Sequence, residues 1–445
     1  MSLTLKVVIG MGLGIAIGLF FNLSGLNADG SFVNTYIVDG LFHVMGKMFI
    51  NALKMLVVPL VFFSLICGVC GIGNLNTLGR VGSKSFALYM LTTAIAITIA
   101  MTIALTAGIG EGMNLASTAS FTAKEAPPLT DVFINIIPSN PVKAMANGDM
   151  LPLIFFSILL GISMLMVGKK AKGLIEGAEI ANEIMMKMVN IIMSVAPYAV
   201  FVLIAKSMAN LGTELLGQLI GYVLVLVGAL FVHLFVTLML VLKFFSGLSP
   251  IMFLKKIRSA QVFAFSTASS NATIPVTLRT VTERMGVNNS VASFTVPFGA
   301  TINMDGTAIM QGVATVFIAN IYSAGLGTAE YITVILMSVL ASIGTAGVPG
   351  VGLIMLSMVF AQVGLPIEGI GLILGVDRLM DMIRTAVNVS GDAVVSTIVA
   401  KSEGQLDLSI YSDETAGIVM NDDLYVDQLV EQELAEAVQN THNQS

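Results

Sequence analysis

Eight apolar runs, each about the length of a bilayer crossing, divide this 445-residue chain. A helix needs roughly 17–25 apolar residues to cross the hydrocarbon core of a membrane. Only 11% of the residues are charged, against about 25% in an ordinary soluble domain. We therefore expect an all-α membrane protein whose eight transmembrane helices lie near residues 5–21, 41–69, 86–107, 151–167, 184–205, 216–244, 291–321 and 365–400.

Two further apolar stretches, residues 251–283 and 330–364, are interrupted near their middles. Polar residues 266–275 break the first, and the Gly-rich segment Gly344–Gly350 breaks the second. Each limb is then about 12–15 residues long, too short at 1.5 Å per residue to cross a 30 Å core. We expect two re-entrant hairpins, which are tolerated at membrane depth only inside protein or beside a watery cavity. Ordinary loops outside the membrane are the alternative.

Basic residues are concentrated in the loops that would be cytoplasmic if the N-terminus is cytoplasmic. Those loops contain Arg80, Lys84, Lys169, Lys170, Lys172, Lys243, Lys255, Lys256, Arg258, Arg279, Arg284 and Lys401, and the outer loops chiefly Lys124, Lys143 and Lys206. This distribution follows the positive-inside rule. The hairpins would then enter from opposite faces, which is the pattern of an inverted-repeat transporter with its site at the midplane.

The C-terminal segment has a different character from the rest of the chain. Residues 402–445 contain ten acidic residues and no Lys or Arg. Such a composition is typical of a solvated segment of weak order. We expect an acidic cytoplasmic tail, disordered or with a short helix near Asp427–Gln439.

A polar stripe, defined by Asp377, Asp381, Arg384, Asn388 and Asp392, crosses the last apolar run. At 3.6 residues per turn these positions stay within about 80° of the helix circumference. Ionisable residues inside a span are expensive and are functional candidates by default. The Arg fork matches a carboxylate, and the acidic and amide oxygens suit an ammonium group or an alkali cation. The alternative is a buried Asp–Arg pair that only fixes packing.

The seventh run has a break of its own between Gly299 and Thr307. Glycines permit a non-helical turn there, and Asn303 and Asp305 add side-chain oxygens. A cation could bind at such a break. The alternative is a kinked helix whose Asp pairs with a base, but no Lys or Arg lies nearby in sequence.

The third run carries a cluster of hydroxyls, and the histidines are scattered. Tyr89, Thr92 and Thr93 fall on about one helical turn and, taken alone, read as packing residues. His43 and His233 lie in apolar surroundings far apart in sequence. No histidine-based metal site is therefore predicted.

Four ordered motifs make the chain similar to a known family. The motifs are Ser269–Thr277 (SSNATIPVT), Asn303–Thr307 (NMDGT), Ala341–Gly350 (ASIGTAGVPG) and Asp381–Asp392 (DMIRTAVNVSGD). They resemble the dicarboxylate/amino-acid:cation symporter family, which includes sodium- or proton-coupled glutamate/aspartate transporters of bacteria and archaea and the excitatory amino acid transporters. The likeness extends from Leu5 to Lys401 and leaves the acidic tail uncovered.

The resemblance implies an elevator-type transporter that assembles as a homotrimer. Residues 1–81 and 113–210 would form its scaffold. Residues 82–112 and 211–401 would form a transport domain that slides across the membrane, with the second hairpin as its gate. Residues 402–445 remain as the cytoplasmic tail.

The resemblance also implies which residues bind the cargo. Asp381 would hold a substrate amine and Arg384 a substrate carboxylate. The remaining substrate contacts would come from Ser270, Thr307, Val348, Gly352, Thr385 and Asn388. A first sodium set would comprise Gly299, Asn303, Asn388 and Asp392. A second would comprise Thr301, Ser342, Ile343 and Thr345, and a third Tyr89, Thr92, Thr93, Asn303 and Asp305.

Some positions depart from the family pattern. Archaeal members carry an Arg at the first hairpin tip, where this chain has Ala268, and animal members carry it directly after the amine-binding Asp, where this chain has Met382. Arg378, one turn away, could supply that charge. Gln311 replaces a proton-carrying Glu of the animal proteins, which argues against proton cotransport by their route.

Together these features predict a sodium-coupled aspartate/glutamate symporter of a bacterial inner membrane. It would be in contact with lipid, with no cofactor beyond the coupling sodium and no nucleic-acid partner, and it would not be an enzyme. The alternatives are a proton-coupled glutamate or C4-dicarboxylate symporter, or a carrier of a neutral amino acid or cystine. A dicarboxylate without an amine would not need Asp381, and a neutral amino acid would not need Arg384.

Overall fold

The computed structural model describes residues 3–70, 78–112, 134, 136–343, 345 and 347–417. Within these residues the chain is helical, and its only β pairing is an isolated bridge between Val287 and Leu406. The helices are α1 Leu3–Leu23, α2 His43–Cys70, α3 Ser83–Ala107, α4 Pro141–Asn147, α5 Met150–Val167, α6 Lys172–Ser194, α7 Ala196–Leu211, α8 Thr213–Val232, α9 Leu238–Ser246, α10 Pro250–Thr267, α11 Ser270–Arg279, α12 Asn289–Ile302, α13 Asp305–Ile321, α14 Thr328–Ser342, α15 Val351–Gln362, α16 Ile370–Ser402 and α17 Leu408–Ser412.

The all-helical, membrane-type architecture is confirmed. Five continuous helical segments of the described residues are long and apolar enough to cross a membrane: Leu5–Leu23, Val33–Cys70, Arg80–Ala107, Pro152–Ser194 and Leu215–Ser246. Several of these are composite, because π-helical turns precede α2 and α3 and join α8 to α9. Lys124 and the predicted tail helix Asp427–Gln439 lie outside the described residues.

The fifth predicted span, residues 184–205, is wrong as a single helix. The chain ends one helix at Ser194 and starts another at Ala196, with Val195 between them. Pro197 stands in the first turn of α7, where its missing N–H and fixed φ are tolerated, whereas it would disrupt a helix interior. After the turn α7 packs chiefly on α1, while α2, the partner of α6, is its lesser neighbour.

The two interrupted stretches fold as helical hairpins. Hairpin 1 consists of α10 and α11, and hairpin 2 of α14 and α15. The turn of hairpin 1 is confined to Ala268 and Ser269, so the predicted break over 266–275 is too long, and Pro275 lies inside α11. Its first limb has 18 residues, more than the predicted length.

The tips of the two hairpins contact each other. Ser269 Oγ donates to the Gly347 carbonyl oxygen at 2.7 Å, and the backbone N–H of Asn271 donates to the same oxygen at 3.1 Å. Gly350, the N-cap residue just before α15, has φ of +88°, a left-handed conformation that favours glycine. Gly344 and Ala346, in the tip of hairpin 2, are outside the described residues.

The centre of the molecule is built from α13 and α16. Every residue from Asp305 to Ala319 is buried, and α16 packs on α10, α12 and α13. A helix that is apolar around its whole circumference is a buried helix, so polar residues on these two elements are enclosed by protein. The break predicted between Gly299 and Thr307 is found at Asn303 and Met304, between α12 and α13.

The start of the C-terminal tail is ordered, which corrects the expectation of a disordered extension from residue 402. Residues 404–417 lie against the base of hairpin 1. The buried Lys256 donates to the backbone carbonyls of Arg284 at 2.5 Å and Ile410 at 2.6 Å. Tyr411 Oη donates to the Ser249 carbonyl at 2.9 Å. Two hydrogen bonds therefore attach the tail to the helical body, one from Lys256 to the Ile410 carbonyl and one from Tyr411 to the Ser249 carbonyl.

Candidate functional site

All five residues of the polar stripe lie on α16 and are buried. Their exposed fractions run from 0% for Arg384 to 8% for Asp381. A charged group enclosed in this way costs several kcal/mol unless it is paired. The partners of each side chain therefore indicate what the site can do.

Arg384 is held between two carboxylates. Its Nη1 donates to Asp377 Oδ1 and its Nη2 to Asp381 Oδ1, both at 2.8 Å. Its Nε has no hydrogen-bond partner among the described residues. Arg378 Nη1 lies 4.0 Å from Asp381 Oδ2, so two acids and two bases form one nearly neutral cluster.

A polar cleft opens beside this cluster, between the two hairpin tips and α16. It is lined by Ala268, Ser270, Met304, Thr307, Thr345, Gly347, Val348, Gly352, Asp381, Thr385 and Asn388. Every residue predicted to contact substrate is in this lining except Arg384, which lies directly behind Gly352: a Cβ added there would be 3.4 Å from Arg384 Nη2. The structure therefore brings the predicted substrate residues together from four separate elements.

Backbone amides fix the polar groups of the cleft. The Gly306 N–H donates to Asn388 Oδ1 at 2.7 Å, and the Gly350 N–H lies 3.4 Å from Asp381 Oδ2. A Cβ on Gly306 would stand 2.7 Å from the Arg384 carbonyl oxygen. The first turn of α13 can approach α16 this closely only because that residue is glycine.

The first predicted sodium set contains one buried oxygen that the described residues leave without a donor. Asn303 Nδ2 donates to Asp392 Oδ1 at 2.9 Å and to the Asn388 carbonyl at 3.2 Å, while its own Oδ1 has no partner among the described residues. A Cβ on Gly299 would lie 2.5 Å from Asp392 Oδ1. A buried carboxylate, an unpaired amide oxygen and a close backbone make a set of hard oxygens that fits a small cation.

The second predicted sodium set lies where the tip of hairpin 2 approaches the end of α12. Its members are Thr301, Ser342, Ile343 and Thr345. A Cβ on Gly347 would be 2.9 Å from the Ala300 carbonyl oxygen, which shows how close the two elements come. Thr345 is buried, and its hydroxyl donates to the Ala341 carbonyl at 2.7 Å.

The third predicted sodium set contains a base that the sequence interpretation missed. Asp305 Oδ1 accepts from Thr93 Oγ1 at 2.6 Å and lies 3.4 Å from Thr92 Oγ1. Its Oδ2 is 2.9 Å from His233 Nε2, and both side chains are inaccessible. The carbonyl oxygen of Tyr89 lies 3.1 Å from the Thr92 hydroxyl and 2.8 Å from the Thr93 hydroxyl, whereas its Oη donates to the Thr295 carbonyl.

The alternative kept for this break, an Asp that pairs with a base, is therefore what the structure shows at Asp305, and the base is His233 of the turn after α8 rather than a Lys or Arg nearby in sequence. A sequence signal was available. His233 is an ionisable residue inside an apolar span, and the reasoning that singled out the stripe applies to it equally. Asp377 belongs to the stripe, but its bond to Arg384 could not be assigned from spacing alone. No group of three or more His, Cys, Asp or Glu side chains suited to a metal ion occurs in the part of the chain that the structure describes.

Comparison with known proteins matches nearly the whole helical body. The profile of the sodium:dicarboxylate symporter family matches residues 3–402. A proton/sodium-glutamate symport protein of Geobacillus stearothermophilus is 34% identical over 91% of this chain and 95% of its own. A proton/glutamate-aspartate symporter of Escherichia coli is 33% identical over 91% and 94%. A C4-dicarboxylate transport protein of Bacillus subtilis is 30% identical over 91% and 94%.

Proposed function

The chain belongs to the sodium:dicarboxylate symporter family, and on this premise we propose that it carries aspartate or glutamate into the cell in symport with sodium. One observation carries the choice of substrate. Asp381 lines the cleft, and Arg384 is bonded to it directly behind Gly352 of the lining, so an ammonium group and a carboxylate of the same molecule would each find a partner. Its relatives are symporters, and the chain is a transporter rather than an enzyme.

The pairing of Arg384 suggests how substrate binds. In this conformation Asp381 accepts from the guanidinium. A substrate ammonium group would compete for Asp381 and leave that guanidinium nitrogen to a substrate carboxylate. Two charge-assisted bonds to substrate would then replace the one bond between Arg384 and Asp381. Both charges are paired in the empty site, and the filled site selects a molecule that carries an ammonium group as well as a carboxylate.

The size of the cleft implies that a hairpin must move. Its cavity volume is about 10 Å³, whereas sites for small organic ligands enclose about 300–1,000 Å³. Hairpin 2 supplies Thr345, Gly347, Val348 and Gly352 to the lining. We assign the opening to hairpin 2, because its tip is joined to hairpin 1 only through the hydrogen bonds to the Gly347 carbonyl among those described.

The wider architecture that we propose has eight spans, two hairpins, inverted repeats and an elevator motion. Two packing groups support it. In one, α1 packs on α7 and α2 on α5 and α6; in the other, α16 packs on α10, α12 and α13, and α13 on α3. The first group would be the scaffold and the second the transport domain, with the boundaries predicted above, in a homotrimer of the inner membrane with cytoplasmic termini.

Uptake of labelled aspartate into proteoliposomes tests the proposal. An inward sodium gradient should drive accumulation, glutamate should compete, and serine and cystine should not. Arg384→Ala should abolish uptake of the acidic substrate, while Arg279→Ala, an exposed arginine paired with Glu283, should transport normally. Unchanged aspartate affinity in Arg384→Ala would overturn the carboxylate role.

A second candidate is a proton-coupled carrier of glutamate or of C4-dicarboxylates. The Bacillus subtilis relative is named a C4-dicarboxylate transport protein, and the Escherichia coli relative a proton-coupled symporter. Accumulation under a proton gradient without sodium, or malate competing as well as aspartate, would favour it. Asp381→Asn separates the substrates, because it should weaken an amino acid more than malate.

A further inference from the structure

His233 is the one buried base of the described residues that touches a predicted sodium ligand and has no role in the proposed function. It begins a π-helical turn, His233–Thr237, between α8 and α9. Such π-bulges are frequent at functional sites because they redirect a side chain. Here the ring is 0% exposed and its Nε2 is 2.9 Å from Asp305 Oδ2.

The partner fixes which atom faces Asp305. Two lone pairs facing each other across 2.9 Å would repel, so Nε2 carries the hydrogen and donates it to the carboxylate. The ring therefore presents a positive hydrogen to Oδ2, while the threonine hydroxyls of the third set approach Oδ1 of the same carboxylate. The other oxygen of the same carboxylate accepts from Thr93, so the protein's own donors satisfy both oxygens.

Charge and pairing separate this set from the first one. Asp305 is the single anionic member of the third set, and its negative charge is what would hold an ion there. Asn303 belongs to both sets, so the difference lies in the carboxylates: among the described hydrogen bonds Asp392 accepts on Oδ1 alone, from Asn303 Nδ2, whereas both oxygens of Asp305 have a protein donor. The residues at Asp392 fit a cation, whereas the residues at Asp305 do not fit a third sodium ion.

We propose that His233 takes the place of the third coupling ion, so that this chain binds its substrate together with one sodium ion fewer than the three sets imply. The proposal rests on the proposed sodium symport. It makes His233 a residue that sets the number of coupled ions, acting through Asp305 rather than by touching substrate. Removing the ring should free Oδ2 of Asp305, the oxygen that the ring contacts, and sodium should then bind to this carboxylate.

The test compares His233→Leu, which removes the donor, with His233→Gln, whose amide places an N–H at nearly the reach of Nε2. Aspartate affinity is measured at fixed pH over a range of sodium concentrations in the purified protein. For each sodium ion that binds together with aspartate, a tenfold fall in sodium concentration lowers the aspartate affinity by about a further factor of ten. His233→Leu should steepen this dependence by about one ion, and His233→Gln should keep the wild-type slope. His43→Leu is the matched control, because His43 is exposed and contacts Lys206.

Two results would overturn the proposal. If His233→Leu keeps both the wild-type slope and the wild-type sodium requirement, the ring does not occupy an ion position. If it keeps the slope but needs more sodium, the ring only orients Asp305 as a sodium ligand. Should the Leu variant fail to fold, His233→Asn gives the same reading, because its shorter amide does not reach Asp305.

The ratio of labelled sodium to labelled aspartate taken up by proteoliposomes checks the same point independently, and it should rise by about one ion in His233→Leu. Failure of the proposed function looks different. A wild-type protein that binds no aspartate at any sodium concentration refutes the acidic substrate. One that binds it equally at every sodium concentration refutes sodium coupling, and a sodium requirement gained only by His233→Leu would then still support the role of His233.

Discussion

Gly306→Ala should weaken substrate binding because Gly306, in the first turn of α13, packs directly against Arg384 and Asn388 of the stripe. The new Cβ would lie 2.7 Å from the Arg384 carbonyl oxygen, 2.9 Å from Arg384 Cα and 3.0 Å from Asn388 Oδ1. Ordinary contact begins at 3.4 Å, so the two helices must separate by about 0.7 Å at this point. Two of the three atoms are backbone, and they cannot move without moving the stripe.

The cost follows from these distances. Overpacking of this kind costs about 1–3 kcal/mol, and weakening the Gly306 N–H bond to Asn388 costs about 1 kcal/mol more. Replacing glycine by alanine in a helix returns about 1 kcal/mol, which leaves a net loss of about 1–3 kcal/mol. That loss lowers the stability of the free and the bound protein alike. Affinity falls because Arg384 and Asn388 are displaced from the substrate: losing one hydrogen bond to it costs about 1–3 kcal/mol, which lowers affinity about 5- to 150-fold.

Equilibrium binding of labelled aspartate to purified protein measures the effect, with thermal unfolding followed separately to confirm a folded sample. Gly228→Ala is the matched control, since a Cβ there meets no atom within 4 Å, and it should bind as the wild type does. Affinity within twofold of wild type in a folded Gly306→Ala protein would refute the placement of the substrate between α13 and the stripe.

Two other changes test separate parts of the structure. Asp392→Asn removes the one negative charge of the first sodium set and should raise the sodium concentration needed for half-maximal aspartate binding. An unchanged sodium titration curve would show that no ion binds there. Lys256→Met removes the buried ammonium group that donates to two backbone carbonyls. Leaving each carbonyl without a partner costs about 1–3 kcal/mol. Hydrogen exchange at Ile410 and its neighbours should therefore become faster. Lys255→Met, which loses only an exposed pair with Glu414, should leave that exchange unchanged.

Features that depend on local sequence were predictable. Apolar length identifies a membrane protein, because a helix must cover the hydrocarbon core. Helical periodicity identified the stripe, since offsets of four, seven and eleven residues share one face of any α-helix. The breaks at hairpin 1 and between α12 and α13 follow from the same local chemistry of Gly, Ser, Asn and Pro.

Boundaries that depend on packing were less accurate. Residues 184–205 are mainly apolar, and Pro197 is the signal in them for a helix boundary. Their composition does not reveal that α7 turns away at Val195 to pack on α1. Residues 404–417 are polar and acidic, and their ordering depends on Lys256, about 150 positions earlier in the chain.

The sequence by itself determined which residues could carry charge inside the membrane and on which helix face they lie, because both depend on one segment at a time. Only the tertiary structure decided their partners. In the folded protein Arg384 is bonded to Asp377 as well as to Asp381. The tips of the two hairpins meet at the Gly347 carbonyl. His233 contacts Asp305, which lies 72 residues later in the sequence. The physical reason is that a buried charge takes whichever opposite charge or hydrogen-bonding group packing brings within about 3 Å, and spacing along the chain does not fix that choice.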